Sequence, residues 1–180
     1  MRLLAISGSL RRDSYNSALL HAAAAGCGPD LDVVFSNRLD RIPAYNEEME
    51  IEPDSVVLLK EEIRQADAIL FATPEYNGSV PGSLKNALDW ISRPFAGNPL
   101  RDKPVAVVGA SQGAFGAVWA QAELRKILRT IGASVEAHEL SVAHAQHAFR
   151  ADGRLRDPEQ RAALTSILEA LRRQTFRRAA

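Results

Sequence analysis

The sequence has little cysteine, no long hydrophobic run and no net charge, and each shortage excludes a class of protein. Cys27 is the only cysteine in 180 residues, so the chain cannot form an internal disulfide or a thiolate metal cluster. No apolar segment approaches the roughly 20 residues of a membrane span, and we expect a cytoplasmic protein that does not bind a membrane. With 22 basic and 22 acidic residues and no basic patch, the sequence does not predict binding to nucleic acid.

Hydrophobic residues, by contrast, make up 46% of the chain, which is enough for one buried core. Apolar runs alternate with amphipathic patterns and predict five strands separated by helices. The predicted strands span residues 2–7, 31–35, 68–73, 104–109 and 134–140, and the predicted helices span 16–25, 54–66, 83–91, 117–131 and 158–176. Several strands are apolar at every position, which is typical of a parallel sheet covered by helices on both faces. We therefore expect one α/β domain over residues 1–180.

Residues typical of helix ends mark several of these boundaries. Asp54 is a predicted N-cap of the second helix. Asp157, Pro158 and Gln160 offer a cap, a first-turn proline and a capping-box glutamine to the last helix. Gly132 is a stop signal for the fourth helix.

The loop after the first predicted strand, residues 8–17, has the composition of an anion site. It leads into a helix whose first N–H groups lack partners and whose dipole favours a phosphate. Its short hydrogen-bonding side chains are those of Ser9, Ser14, Asn16 and Ser17. Arg11 adds a candidate charge-assisted contact, but the loop lacks the spacing and the lysine of a nucleoside-triphosphate loop. The alternative is a turn whose serines only cap the helix.

A second loop, residues 74–81, follows the third predicted strand. Pro74 and Pro81 stiffen it, so backbone groups can be held against the edge of a flat polar ring such as isoalloxazine. Tyr76 supplies an aromatic wall, and Gly78 permits close approach of another molecule. The alternative is a rigid surface loop leading into a helix on which Asn86, Asp89 and Trp90 serve only surface and packing roles.

A third loop, residues 109–116, contains three glycines after the fourth predicted strand. Their spacing differs from the G-x-G-x-x-G dinucleotide fingerprint, so we expect this loop to close a pocket and to leave room for a second planar molecule. Ligands of open α/β sheets bind at the carboxyl ends of the strands, where all three loops emerge. The loops together indicate bound FMN.

At these residues the chain resembles the NAD(P)H-dependent FMN reductases, a family with a flavodoxin-like fold that includes quinone- and chromate-reducing members. Residues 8–16 are similar to the family's G-S-x-R-x-x-S-x-N phosphate loop. Residues 74–90 are similar to its P-E-Y-N-x-[SG]-x-P-[GA]-x-L-K-N-x-x-D-W motif, and residues 109–113 to its G-A-S-x-G segment.

This resemblance implies a three-layer sandwich with a five-stranded parallel sheet in the order 2-1-3-4-5. It implies that the FMN phosphate is held by Ser9, Arg11, Ser14, Asn16 and Ser17, and that the ring edge is contacted by Pro74, Glu75, Tyr76, Asn77 and Ser111. Hydride would pass from NAD(P)H to the flavin, and electrons would then pass to free flavin, a quinone or a similar acceptor. The cofactor supplies this chemistry, so no catalytic side chain is assigned. A homodimer or homotetramer, in which a neighbouring chain helps to enclose the flavin, is also implied.

Two other functions are compatible with this fold. A one-electron carrier of the flavodoxin type would share the fold and the cofactor. Flavodoxins are strongly acidic proteins with a T-x-T-G-x-T phosphate loop and aromatic residues on both flavin faces. This chain resembles them less, because it is neutral and has Arg11 in its phosphate loop and only Tyr76 in its ring loop. A flavin-free interaction module is the third alternative, because a fold does not determine a function.

The remaining chemistry-bearing residues receive structural interpretations. His144 and His147 lie three residues apart without a nearby carboxylate or cysteine, and zinc needs three or four ligands, so no metal site is predicted. Cys27 has no C-x-x-C partner and is interpreted as a loop residue. Phe115 and Trp119 are interpreted as packing or subunit contacts, with Phe115 within reach of the site.

Overall fold

Residues 1–179, the part of the chain that the computed structural model describes, contain six strands and five α-helices. The strands are β1 (Arg2–Ser7), β2 (Asp32–Ser36), β3 (Ala68–Thr73), β4 (Pro104–Ala110), β5 (Ser134–Val135) and β6 (Leu140–Val142). The helices are α1 (Tyr15–Ala25), α2 (Asp54–Gln65), α3 (Gly82–Ile91), α4 (Val118–Thr130) and α5 (Pro158–Ala179). Short 3₁₀ helices span Leu39–Arg41, Phe95–Gly97 and Ala145–His147.

The strands form one parallel sheet in the order β2-β1-β3-β4-β5, and β6 also pairs with β4. This result confirms the predicted flavodoxin-like order 2-1-3-4-5. After β1 the chain forms β2 on one side, then crosses to form β3 on the other side. The carboxyl ends of β1 and β3 therefore flank the point where the strand order reverses, which is where open α/β sheets bind their ligands.

Two helical layers cover the sheet because alternate residues of each strand face opposite sides. Leu3 and Ala5 of β1 belong to the core beneath α1 and α5. Leu4 and Ile6 belong to the core beneath α2, α3 and α4. Every residue of β3 and β4 is buried, which explains why these strands are apolar at consecutive positions.

The predicted fifth strand, residues 134–140, is interrupted, and this part of the prediction was wrong. The Glu136 carboxylate accepts hydrogen bonds from the backbone N–H groups of Ala137 and His138, at 2.9 and 3.2 Å. Because those groups turn toward a side chain, they do not pair with β4. The strand is therefore divided into β5 and β6, which pair with the beginning and the end of β4.

The helix ends agree with the sequence in part. The side chain of Asp157 accepts the N–H of Glu159 at 2.8 Å, as expected of an N-cap. Asp54, predicted as a cap, is instead the first residue of α2, because the helical hydrogen bonds begin at the carbonyl of Pro53. Gln160 also departs from its predicted role, since its buried Oε1 has no partner among residues 1–179. Within the same residues, no helix is both long enough and apolar enough to cross a membrane.

Candidate active site

The loops that follow β1, β3 and β4 meet at the carboxyl edge of the sheet and line a cleft of about 190 Å³. The cleft is lined by predicted site residues from all three loops. They are Ser9, Arg11, Ser14 and Asn16 of the first loop, Pro74, Glu75 and Tyr76 of the second, and Ser111 of the third. Ser17 and Asn77 are the two predicted site residues outside this lining. The structure thus brings together residues that are separated by about a hundred positions in the sequence.

Ser14 is the N-cap of α1 and lines the cleft. Its hydroxyl oxygen accepts hydrogen bonds from the backbone N–H groups of Asn16 and Ser17, at 3.2 and 3.5 Å. Ser14 is only 5% exposed, yet its hydroxyl hydrogen remains available to an acceptor in the cleft. The residue therefore caps the helix and can also contact an anion at the positive end of the helix dipole.

Asn16 joins the first loop to the end of β4. Its side-chain N–H donates to the carbonyl of Ala110, and its side-chain oxygen accepts from the N–H of Ala110, both at 3.0 Å. Asn16 is 2% exposed, so this pair is shielded from water. The amide group is committed to the backbone of β4, and its contribution to the cleft is to hold two of its walls together.

Ser17 lies on the other side of the first loop. Its hydroxyl donates to the Ser7 hydroxyl at 3.1 Å, and Ser7 in turn accepts the N–H of Ser9 at 3.3 Å. This chain of contacts supports the loop from behind. Ser17 lines a neighbouring cavity rather than the cleft itself.

Arg11 is the basic side chain at the mouth of the cleft. One of its terminal nitrogens donates to the carbonyl of Asp13 at 3.0 Å, and its guanidinium carbon lies 5.8 Å from the centre of the Tyr15 ring. Tyr15 also stacks on Phe149, with 6.4 Å between ring centres and 5° between ring planes. Tyr15 lines the cleft but was not predicted as a site residue. Its position between the motif residues Ser14 and Asn16 was the available signal.

The second loop contains a tight turn that presents Tyr76 to the cleft. Tyr76 and Ser79 exchange backbone hydrogen bonds of 3.0 and 3.1 Å, with Asn77 and Gly78 between them. Both central residues have positive φ, 54° and 75°, as a type I′ turn requires. Asn77 is exposed at the tip of this turn, and the Tyr76 residue is 48% exposed.

Glu75 links the second loop to the third. Its Oε2 accepts the N–H groups of Trp119 and Ala120 at 3.1 and 3.2 Å, and so caps the first turn of α4. The residue at the N-cap position, Ala117, has no side-chain acceptor of its own. The capping role of Glu75 depends on Trp119, which lies 44 positions away, and no local pattern in the sequence indicates it.

The third loop is shaped by close packing against β6. Gly116 has φ of +58°, and a Cβ there would lie 2.7 Å from the backbone of Ser141, which excludes a side chain. The buried Gln121 side chain donates to the Gly116 carbonyl at 3.0 Å and to the Ser141 hydroxyl at 2.8 Å. Ser111 donates its N–H to the carbonyl of Val142 at 3.0 Å. These contacts place Ser111 at the cleft.

Two aromatic side chains remain outside the core beside this loop. Phe115 is 62% exposed and Trp119 is 53% exposed, and their ring centres lie 4.9 Å apart. The backbone of Trp119 is the one that Glu75 caps. The pair is thus held next to the cleft by the same contact that joins the second and third loops.

The donors of the cleft fit FMN. One end combines a helix N-terminus with two buried serines and an arginine, which suits a phosphate ester. The other end has an aromatic side chain and a rigid loop next to Ser111, which suits a flat heteroaromatic ring. No group of three or more metal-ligating side chains occurs in the described part of the chain. The fold and the cleft together define a flavodoxin-like protein with a cleft that fits FMN.

Comparison with known proteins makes this class more specific. A sequence profile of the family described as NADPH-dependent FMN reductase matches residues 1–147. An NAD(P)H-dependent FMN reductase of Pseudomonas aeruginosa is 44% identical over 174 residues, which cover 95% of this chain and 93% of the relative. A 2-hydroxy-1,4-benzoquinone reductase of Burkholderia is 34% identical over 171 residues, with 94% and 93% covered.

A solved structure agrees with both relatives. FerB, a flavoenzyme NAD(P)H:(acceptor) oxidoreductase of Paracoccus denitrificans, superposes with a TM-score of 0.86 at 34% identity and covers 98% of this chain and 97% of its own. The chain therefore belongs to the NADPH-dependent FMN reductase family. It is an oxidoreductase with FMN as cofactor and NAD(P)H as co-substrate, as the resemblance implied.

Proposed function

We propose that this protein uses NAD(P)H to reduce a quinone or free flavin through FMN bound in the cleft between its three loops. The observation that carries this proposal is the meeting of the phosphate-type loop and the ring-type loop in one cleft. FMN held in this cleft would supply the redox chemistry, with hydride taken from the nicotinamide and electrons passed on to the acceptor. Residues 1–180 act in this proposal as a single FMN-binding domain.

The phosphate end is assigned to the first loop. Ser9, Ser14 and the guanidinium of Arg11 contact the phosphate, together with backbone N–H groups at the start of α1. Asn16 and Ser17 contribute by holding that loop in place. The side-chain contacts of Asn16 with Ala110 and of Ser17 with Ser7 support this division of roles.

The ring end is assigned to the second and third loops. The backbone around Pro74, Tyr76 and Asn77 contacts the polar edge of the ring, and Ser111 approaches it from the third loop. Proline has no N–H and the Tyr76 N–H donates to Ser79, so the donors at this edge are the Asn77 N–H and the Ser111 hydroxyl, which would stabilise negative charge on the ring. Glu75 holds the two loops together through the first turn of α4. No side chain is required as a nucleophile, so the protein provides position, electrostatics and exclusion of water.

A second copy of the chain is assigned to the open side of the cleft, in a homodimer or homotetramer. The exposed rings of Phe115 and Trp119 lie beside the cleft and support this assignment, because large exposed aromatic side chains are enriched where proteins associate. We place the protein in the cytoplasm, with a small-molecule electron acceptor as its partner.

An absorbance spectrum tests the proposal. Purified protein supplied with FMN should show a bound-flavin spectrum that bleaches when NADPH is added without oxygen. Adding a benzoquinone should restore the flavin absorbance and sustain NADPH consumption with no second protein present. A colourless preparation that does not retain FMN would contradict the cofactor site. A flavin that remains oxidised with both NADPH and NADH would contradict the proposed activity.

A further inference from the structure

A second cavity, of about 330 Å³, lies behind the first loop, between that loop and the carboxyl end of β2. Ser9 and Arg11 line both the cleft and this cavity, so the two spaces are separated by the loop itself. The proposed FMN site does not occupy this second cavity. Its lining is mainly polar, and it includes Ser7, Ser17 and Ser36.

The cavity contains a buried polar atom without a partner. Ser36 is 7% exposed, and its hydroxyl oxygen has no hydrogen-bond partner among residues 1–179. Buried hydroxyl groups in native proteins are nearly always hydrogen-bonded, because leaving one unpaired is unfavourable. The neighbouring hydroxyls of Ser7 and Ser17 are bonded to each other at 3.1 Å. A polar ligand in the cavity would supply the partner that Ser36 lacks.

The cavity also has a cation that the protein itself does not neutralise. Arg12 lines it and is exposed, and in the described residues its guanidinium forms no hydrogen bond or ion pair. The next basic residue along this edge, Arg38, is already bonded to Glu62 at 2.5 Å. Asp40 is the acidic residue in the lining and is also exposed. The donors therefore favour an anionic group, with one carboxylate opposing it.

The cavity adjoins the cleft in which a dinucleotide hydride donor would react. The first loop is a wall of both spaces, so a dinucleotide whose nicotinamide lies at the ring end of the cleft can place its adenosine in the cavity by crossing that loop. The segment that the two spaces share is short, because residues 9–11 span at most about 10 Å along the chain even if fully extended. In dinucleotide-binding α/β sites an acidic residue beyond the second strand contacts the ribose 2′-hydroxyl, whereas an arginine accommodates a 2′-phosphate. In this chain Asp40 lies beyond β2 and Arg12 lies in the first loop, and both line the cavity.

We infer that this cavity binds the adenosine 2′-phosphate of NADPH, with Arg12 as its main cationic contact and Ser36 and Asn37 as hydrogen-bonding groups. Asp40 lowers the affinity for the phosphate. The cavity thus sets the preference for NADPH over NADH. This inference rests on the proposed function, because it takes NADPH as the hydride donor at the neighbouring cleft.

Calorimetric titration of the FMN-loaded protein with adenosine 2′,5′-bisphosphate tests the site without any turnover. Adenosine 5′-monophosphate, which lacks the 2′-phosphate, should bind at least tenfold more weakly. Arg12→Gln should weaken binding of the bisphosphate by about 10- to 100-fold, as expected for a lost charge-assisted contact. Asp40→Asn should strengthen it several-fold. Arg129→Gln, an exposed arginine at the far end of α4, is the matched control and should bind the bisphosphate as the original protein does.

Steady-state kinetics give an independent reading. In Arg12→Gln the KM for NADPH should rise about 10- to 100-fold, while the KM for NADH rises less than threefold. Equal effects on both donors, equal binding of the two adenosine nucleotides, or loss of FMN from Arg12→Gln would each overturn the inference. Failure of both NADPH and NADH to reduce the flavin would instead contradict the proposed function, so the two failures are distinguishable.

Discussion

At the scale of single residues, the polar side chains around the cleft divide into those that contact the protein and those left for a ligand. Both side-chain hydrogen-bonding atoms of Asn16 bond to the backbone of Ala110. Arg11 keeps donors of its guanidinium free beyond its bond to the Asp13 carbonyl. We therefore expect substitutions at these two residues to change different measured properties.

Replacing Asn16 with alanine should lower stability. The substitution leaves the N–H and the carbonyl of Ala110 buried without partners, which costs about 2–4 kcal/mol in the free energy of unfolding. Urea denaturation measures this loss. Asn37→Ala, at an exposed asparagine, is the control and should change the free energy of unfolding by less than about 0.5 kcal/mol. If both variants unfold at the same urea concentration, the assigned role of Asn16 is wrong.

Arg11→Glu should reduce retention of FMN with little change in stability. The substitution replaces a cation at the phosphate end of the cleft with an anion, so phosphate binding becomes unfavourable. The ratio of flavin absorbance to protein absorbance after gel filtration measures the effect, and we expect at least a tenfold drop. Arg156→Glu, at an exposed arginine before α5, should keep its flavin. Unchanged flavin content in Arg11→Glu would contradict the phosphate assignment.

At the scale of secondary-structure elements, two helices are each held by a carboxylate from another part of the chain: α4 by Glu75 and α5 by Glu136. Glu75 caps α4 from the second loop. Glu136 accepts a hydrogen bond from Gln174 of α5 at 2.6 Å, and its other oxygen lies 2.6 Å from the His138 ring. The first contact connects α4 to the loop at the carboxyl edge, and the second connects α5 to the interrupted fifth strand.

Glu75→Ala should loosen the connection between the second and third loops. Loss of the cap on α4 lowers the free energy of unfolding by about 1 kcal/mol. Glu75→Gln keeps an oxygen acceptor and should retain part of this stability. Thermal unfolding of the two variants gives the comparison, and flavin content should follow the same order. Equal stability of Glu75→Ala and the original protein would show that the cap contributes nothing.

Glu136 makes the attachment of α5 depend on pH. Burial raises the pKa of its carboxyl, but hydrogen bonds from the His138 ring and from the N–H groups of His138 and Ala137 outweigh burial and hold the pKa below its usual value. A lowered native pKa stabilises the fold above the unfolded pKa of about 4.3, and this stability is lost as the pH falls through the native value. Stability should therefore decline on acidification.

A comparison of variants isolates this contribution. Glu136→Gln should be less stable than the original protein at pH 7, and the difference should shrink as the pH falls below about 4. Denaturation curves recorded at several pH values provide the measurement. Glu169→Gln, at an exposed glutamate of α5, should not show this pH-dependent difference. A difference that stays constant with pH would exclude ionisation of Glu136 as its cause.

At the scale of the whole molecule, the proposed oligomer can be tested at the exposed aromatic pair, Phe115 and Trp119. Trp119→Glu should shift the protein toward the monomer in analytical ultracentrifugation, because a charge at an apolar contact disfavours association. Phe176→Glu is the matched control, since Phe176 is as exposed as Phe115 but lies on α5. A wild-type protein that sediments as a monomer at all concentrations would contradict the proposed oligomer.

Much of the molecule could be predicted from residue patterns because the signals are local. The spacing of apolar residues indicates alternating strands and helices, and the motifs that follow β1, β3 and β4 indicate a site at one edge. The strand order itself came from the resemblance to a family, since periodicity does not determine which strands pair. The interruption of the fifth strand was missed, because it depends on hydrogen bonds from a backbone turn to the side chain of Glu136.

The amino-acid sequence by itself determined the α/β class and the order of the elements, and it predicted which loops carry the cofactor chemistry. Only the tertiary structure decided which polar side chains in those loops remain available to a ligand. Asn16 meets Ala110 across 94 positions, and Glu75 meets Trp119 across 44. Contacts at such separations depend on how the elements pack, and a polar side chain that has found a buried protein partner is no longer free to bind a ligand.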